Sequence, residues 1–409
     1  MAERTAANKP RSTGNNKIRI APKNTPAKSG AEKKGRIPFL DFKGRFDYPL
    51  FTIILVLLVF GIVMMFSASY AVAWTERGDS FFYVRRQAIF ACIGLVLMYL
   101  VSHVNYEWYL QKRIVRVIFA SSIILTVATK FFGIAHGGAR RWFSIFGIEF
   151  QPSEITKLAL VIAIAYLTQR FGERIKDVYV FSLYAGALIL AAGAVVIQPH
   201  LSCAIIIGVI GVAMIIVAGC RAKHMIILLT MAAVGGALVV LIMLARGYDY
   251  MGSRMDSFNN PEADITGTTF QTYQSIISVG SGGLFGLGLG NSRQKYSYLP
   301  ESQNDFVFSI ICEELGFVGA MLVIMLFIIL VFRCYYIAVR AKDKAGMLLC
   351  IGIGTQIGVQ ALMNIAVVTN AMPNTGISLP FFSYGGTALV MQLAEMGVVL
   401  EVSRKAALE

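Results

Sequence analysis

The stretch GSGGLFGLGLGNSRQKYSYLPESQNDFVFSIICEELG, residues 280–316, decides how the rest of the chain is read. A glycine-rich, hydroxyl-bearing segment leads into the basic residues Arg293 and Lys295, then Pro300, then Asp305. An apolar run long enough to enter a bilayer follows at once. A charged loop that sets a carboxylate at the lip of a membrane helix is an uncommon arrangement. Asp305 suits two roles: an N-cap or first-turn acid favoured by the helix dipole, and a general base at a lipid–water interface. The two are compatible, because the positive helix end favours the ionised carboxylate. Glu313 and Glu314 follow eight and nine residues later. That is about 12 Å deeper at the helical rise, where a carboxylate is costly and faces a partner or water. Gly286, Gly288 and Gly290 do not make a nucleotide loop, since no strand precedes them and no GK[ST] opens the helix.

Outward from this stretch the chain is overwhelmingly apolar. Hydrophobic residues make up 56% of its 409 residues and charged residues only 15%, which is the composition of a polytopic membrane protein rather than a soluble domain. The net charge of +14 is accounted for by an N-terminal tail and short loops, so no nucleic-acid partner is expected. Cys92, Cys203, Cys220, Cys312, Cys334 and Cys350 fall in or beside apolar runs without paired spacing and read as small buried thiols. Four scattered histidines give no metal constellation, so no metal-binding residue is assigned. Residues 1–45 are basic and lack apolar periodicity, which makes them a disordered cytoplasmic tail. That polar stretch is too long for a cleavable signal peptide.

Apolar runs of bilayer length predict helices near 49–69, 87–104, 114–132, 155–170, 178–197, 202–219, 224–245, 305–332, 345–369 and 386–403. The expected fold is therefore an all-α membrane protein of ten transmembrane helices. It has both termini inside and one large extracellular loop, 246–304, between helices seven and eight. Lys and Arg set the orientation, because Lys112, Arg113, Arg116, Arg170, Arg174, Lys176, Arg221, Lys223, Arg333, Arg340, Lys342, Lys344, Arg404 and Lys405 all fall in inner segments. Arg85, Arg86, Arg140, Arg141, Lys157, Arg254, Arg293 and Lys295 stay on the outer side against that bias. Binding an anion there is the simplest reason to keep them.

Three further segments reach the same outer face. The 246–304 loop carries TGTTFQTYQSIISVGSGG, which suits a re-entrant or amphipathic helix lining a cavity. The turns IQPHLS (197–202) and NAMPNTGISLPFFSYGG (370–386) close on it, the second broken by Pro373 and Pro380. In 137–157, Arg141, Trp142, Glu154 and Lys157 gather near the surface, and Lys157 suits snorkelling, pairing with Glu154 one turn away, or holding a phosphate. Gln356, Gln360 and Asn364 recur at helical spacing as a polar stripe facing the bundle, more in keeping with packing than with catalysis.

Together SRQKYSYLPESQNDFVFSIICEELGFVG (292–319), FQPSEITKLAL (150–160), QSIISVGSGGLFGLGLG (274–290) and PNTGISLPFFSYGG (373–386) resemble the SEDS family (shape, elongation, division, sporulation). These are peptidoglycan glycosyltransferases of the FtsW/RodA/SpoVE type, and this sequence is most similar to the division and sporulation branches. The resemblance extends over 46–405. It implies a ten-helix fold, polymerisation of lipid II with a polyprenyl pyrophosphate leaving group, residence in the bacterial cytoplasmic membrane, and a class B penicillin-binding protein plus other division proteins as partners. One sugar hydroxyl must lose a proton as it attacks, a task for one carboxylate, and the departing pyrophosphate needs positive charge from Arg and Lys or from a divalent cation such as magnesium or manganese. Asp305 is thus the candidate base, and Arg141, Lys157, Arg254 and Lys295 the anion-site candidates. Glu154, Glu314, Gln274 and Ser383 are supporting residues within the matched motifs. The sequence departs from the family at His200, where an acid is usual, at Asn304 before the aspartate, at Cys312 before the glutamate pair, and before Gly138. A lipid II flippase and a division scaffold remain the competing readings; the surface placement of Asp305 favours the enzyme.

Overall fold

The computed structural model describes residues 39–41, 44, 46–136, 139–145, 147–198, 200–245, 250–296 and 299–406. The expected tail therefore lies almost wholly outside the described residues, as do Gly138 and Pro199.

Every run expected to be helical is a helix. They are α1 (Tyr48–Arg77), α2 (Phe82–Val101), α4 (Lys112–Phe132), α5 (Pro152–Phe171), α6 (Val178–Val196), α7 (Leu201–Val217), α8 (Ala222–Ala245), α11 (Val307–Val339), α12 (Lys344–Val368) and α13 (Gly386–Lys405). One-turn α3 (Tyr106–Tyr109) lies between α2 and α4, and α9 (Tyr250–Asn259) and α10 (Phe270–Ser281) lie between α8 and α11. Among the described residues, eight helices are long and apolar enough to cross a membrane, and Leu201–Val217 and Ala222–Leu238 are shorter apolar stretches. The molecule is a predominantly helical, multi-pass membrane protein.

The all-α expectation needs one correction. Residues Ile134–His136 (β1), Ala139–Ile145 (β2) and Ile148–Phe150 (β3) form an antiparallel sheet in the order β1-β2-β3. Its cause is local: WFSIFGIEF alternates bulky aromatic and β-branched residues around Gly147, whose φ of 77° permits the tight reversal. The helical period of the flanking runs hid this strand period.

Local sequence sets both ends of α1 and the start of α5. Asp47 caps α1 by accepting from Leu50 N at 2.8 Å, and α1 runs on to Arg77 until Gly78, with φ 68°, turns the chain out. Pro152 opens α5 at the first turn, where a missing N–H costs nothing. The cysteine expectation holds for Cys203, Cys312, Cys334 and Cys350, which are buried, whereas Cys92 lies exposed on α2.

One end of the bundle carries a girdle of ion pairs. Arg333 near the end of α11 pairs with Asp47 at 2.9 Å, Lys344 with Glu173 at 2.7 Å, and Lys405 with Glu401 at 2.9 Å. The last residues of the expected tail belong to this girdle. Phe39 O accepts from Asn105 N at 3.0 Å, Asp41 N donates to His103 O at 2.9 Å, and Arg404 Nη1 donates to Asp41 O at 2.9 Å. The opposite end holds the loops that build the site.

Candidate active site

The glycine-rich loop after α10 is folded back into a break in α11. Gly316 leaves helical geometry at φ 67° and ψ −165°, which interrupts the helix just past Glu314. The loop repairs the freed backbone: Leu287 N and Gly288 N donate to Glu313 O and Glu314 O at 3.0 and 2.9 Å, and Phe317 N donates to Gly283 O at 2.9 Å. Irregular backbone at membrane depth survives only when buried and satisfied in this way. Glycine is required at the contact, since a Cβ on Gly286 would lie 2.2 Å from Glu314 O and one on Gly316 2.3 Å from Gly286 N.

Both glutamates of the eighth run are spent on this loop. Glu313 accepts from Arg293 N at 2.9 Å and Ser278 Oγ at 3.2 Å. Glu314 pairs with Lys295 Nζ at 2.8 Å, both side chains at 0% exposure, and accepts from Ser67 Oγ of α1 at 2.7 Å. The Lys295 ammonium also lies 4.8 Å from the centroid of the Tyr70 ring. Lys295, one of the anion-site candidates, ties the loop to α1 and α11 through Ser67 and Glu314.

A second cluster centres on the turn Asn374–Thr375–Gly376. Arg254 of α9 donates to Asn374 O, Ser202 Oγ at the start of α7 donates to Thr375 O at 2.9 Å, and a Cβ on Gly376 would lie 3.3 Å from Asp305 Oδ2. Asn364 Nδ2 donates to both Asp305 O and Ile377 O at 2.7 Å, so the stripe on α12 positions the backbone of Asp305. Three consecutive turn residues thus receive the 246–304 loop, the 197–202 turn and Asp305. Asp305 is not the helix cap: α11 has Phe306 at its N-cap position and no side-chain cap bond. Burial lifts its carboxyl to about 6, Glu301 adds to the rise, and Arg254 and Arg141 oppose it. Its ordinary value lies near 4.

Lys157 sits below this turn, one helical turn into α5, at 1% exposure. Its Nζ pairs with Glu154 Oε1 at 2.9 Å and donates to Gln360 Oε1 at 2.9 Å, while Gln360 Nε2 donates to Ser378 O at 3.1 Å. One turn away Gln356 Nε2 donates to both oxygens of buried Glu395 at 2.8 Å. Glu395 was missed in sequence because α13 gave it no charged neighbour to mark it. Arg141 lies on β2, half-buried, and its charge reaches both Asp305 and His200. Ser383 Oγ accepts from Leu379 N at 2.7 Å and so shapes the 379–385 turn, whose Tyr384 N donates to Gln303 O at 2.8 Å, two residues before Asp305. Gln274 is half-buried on α10, whose Ser275 and Ser278 hydroxyls bond to α11 at Ser309. The structure therefore brings Asp305, Arg141, Arg254 and the Lys157–Glu154 pair to one end of the bundle, and keeps Lys295 and Glu314 in a separate buried latch.

A family model described as a cell cycle protein, that of FtsW, RodA and SpoVE, matches residues 48–408. Stage V sporulation protein E of Bacillus subtilis is 39% identical over 363 residues, covering 88% of this chain and 97% of that protein. A protein of Trichlorobacter lovleyi named probable peptidoglycan glycosyltransferase FtsW is 36% identical over 360 residues, covering 88% and 93%. Among solved structures, a chain from a study of how a peptidoglycan synthase complex coordinates polymerization and crosslinking superposes with a TM-score of 0.71 at 25% identity, covering 89% of this chain and 99% of that one. The crystal structure of the rod shape determining protein RodA of Thermus thermophilus gives 0.65 at 25% identity, covering 89% and 98%.

Proposed function

This chain belongs to the FtsW/RodA/SpoVE family of cell cycle proteins, and from that premise we propose that it is a peptidoglycan glycosyltransferase joining lipid II units into glycan strands. The observation that carries the reading is a half-buried carboxylate, Asp305, set against the 374–376 turn and under the charge of Arg254 and Arg141. Such a site has the two parts that glycosyl transfer on a diphosphate ester needs. Asp305 accepts the proton of one sugar hydroxyl as that oxygen bonds to the anomeric carbon. The bond from that carbon to the diphosphate oxygen breaks, and the two guanidinium groups take up the charge that develops there. Lys157, neutralised by Glu154 and anchored by Gln360, is assigned to shaping the floor of the site.

Among the described residues no group of three or more His, Cys, Asp and Glu is placed to hold a metal ion. A divalent cation carried on substrate phosphates needs only one or two carboxylates, and Asp305 with Glu301, whose charge it feels, fits that count. Bound there, such a cation would supply Lewis-acid charge to the departing diphosphate.

The reading further assigns ten spans, a cytoplasmic tail over 1–45, both termini in the cytoplasm and the 246–304 loop outside. It also assigns a class B penicillin-binding protein as the transpeptidase partner, alongside other division membrane proteins. The Lys and Arg residues at the end opposite Asp305, among them Arg333, Lys344 and Lys405, support this topology. Glu262, exposed in the loop, gives a direct test. Glu262→Cys, in a protein whose native cysteines are replaced, should react with an impermeant thiol reagent added to intact protoplasts. Reaction only after lysis would put the site on the wrong side of the membrane for this reaction.

A further inference from the structure

The tip of the α1–α2 hairpin carries two arginines without an ion-pair partner. Arg77 ends α1, and Arg86 lies one turn into α2. Both guanidinium groups flank one ring: Arg77 stands 5.2 Å and Arg86 5.0 Å from the centroid of Phe82. A ring face attracts the charge but leaves the guanidinium donors without an acceptor. Among the described residues neither arginine donates a hydrogen bond or meets a carboxylate. The acids of the tip are engaged elsewhere, since Asp79 holds Arg85 and Glu76 accepts from Tyr83 Oη at 2.8 Å.

The helix faces that lead up to this pair are apolar and uncovered. Val59, Val63 and Trp74 share the face of Arg77 on α1, and Ile89, Ile93 and Val96 share that of Arg86 on α2; all six are exposed. The two helices pack side by side, with Phe66 stacked on Phe81 at 5.2 Å. In a membrane-spanning chain such faces meet acyl chains. Trp74 and exposed Phe81 add the aromatic side chains that collect at head-group level. The guanidinium groups therefore crown a lipid-facing surface, where a head group comes within reach. Charge selects that head group. The tip holds Arg77, Arg85 and Arg86 against Glu76 and Asp79, so three positive and two negative groups leave one positive charge. A lipid with one negative charge balances it, and the planar fork of arginine matches the oxygens of a phosphate.

We propose that Arg77 and Arg86 hold the phosphate of an anionic phospholipid of the phosphatidylglycerol kind, whose acyl chains lie along the exposed faces of α1 and α2. The proposal does not rest on the transferase reading. The hairpin that carries the pair also braces the candidate site. Gln87, next to Arg86, donates to Ser383 O at 3.1 Å, and Tyr83, one turn before it, meets the ring of Tyr384 edge-on at 4.9 Å. Tyr384 N in turn donates to Gln303 O at 2.8 Å. A lipid seated on the two arginines thus bears on the hairpin against which the 379–385 turn rests.

The test measures binding of phosphatidylglycerol, phosphatidylcholine and undecaprenyl diphosphate to the purified full-length protein in a neutral detergent, by native mass spectrometry. The unaltered protein should prefer phosphatidylglycerol to phosphatidylcholine. Arg77→Gln and Arg86→Gln should each lower affinity for phosphatidylglycerol about 5-fold, the usual worth of one basic side chain at an anionic surface, and the double variant should lose the preference. Arg77→Lys/Arg86→Lys keeps the charge but not the fork, and should recover only part of the loss. Both arginines are exposed, so without added lipid all variants should melt with the unaltered protein. Unchanged phosphatidylglycerol affinity in the double Gln variant would overturn the proposal. Full affinity in the Lys pair would mean diffuse charge rather than a site, and would overturn it too. So would a loss confined to undecaprenyl diphosphate, which would give the pair to a polyprenyl substrate. A dimer that falls apart in the Gln variants with lipid binding unchanged would give the face to a second copy, and a lower melting temperature without lipid would give the arginines to the fold; either result overturns the proposal.

Discussion

Asp305→Asn should insert, fold and bind its partner as the unaltered protein does, yet polymerise lipid II about 10²- to 10⁴-fold more slowly, the usual loss when a positioned general base is removed. Asn has the size of Asp and hydrogen-bonds, but it takes up no proton at neutral pH. The structure removes the bland explanation, because Phe306 rather than Asp305 occupies the cap position of α11 and no side chain caps that helix. The neighbours that fix the Asp305 backbone, Asn364 and through it Ile377, bond to main-chain oxygen and are untouched by the change. Acid should mimic the substitution. A base works ionised, and burial holds this carboxyl up at about 6, so the rate of the unaltered protein should fall as pH drops through that value. The fall should be absent from the residual activity of Asp305→Asn. A substituted protein with undiminished rate, or the same acid limb in both, would remove Asp305 from the chemistry.

Lys295→Met should be the most destabilising single change outside the apolar core. It leaves Glu314 charged, at 0% exposure, with only Ser67 and the amide of Ser292 for company. Breaking a buried pair by removing one member costs about 3–5 kcal/mol, because the other charge is left uncompensated. The double change Lys295→Met/Glu314→Gln removes both charges and should recover most of that loss. Thermal unfolding of the purified variants in one detergent separates the outcomes. A melting temperature unchanged in Lys295→Met would mean that the pair does not hold the loop in the helix break. A double variant no better than the single would mean that packing, not charge, is the latch.

The contrast between Asp305 and Lys295 explains what sequence carries and what it withholds. Helices were legible because apolar length is a local property: all ten runs are helical, and Asp47 and Gly78 at the ends of α1 and Pro152 at the start of α5 act over one turn. Asp305 was legible because its position at the foot of an apolar run is also local. Lys295 was not. Its partners are Glu314, 19 residues on, and Ser67, 228 residues back, and a stranded lysine looks the same whether it awaits an anion or already has one. The break at Gly316 was hidden by apolar residues that continue through it. The sheet at Ile134–Phe150 was hidden because its aromatics also suit a membrane interface. His200 read as the loss of an acid; its capping of α7, where Nδ1 accepts from Cys203 N, is visible only in the folded chain.

The central claim is that this protein makes a glycosidic bond, and one measurement reaches it directly. Purified protein, with its penicillin-binding partner inactivated for transpeptidation, is given lipid II in vesicles, and glycan and polyprenyl diphosphate are both quantified. Polymer should form, with one polyprenyl diphosphate released for every bond made. Lipid II that crosses the bilayer, or stays bound, while neither polymer nor free diphosphate accumulates would contradict it.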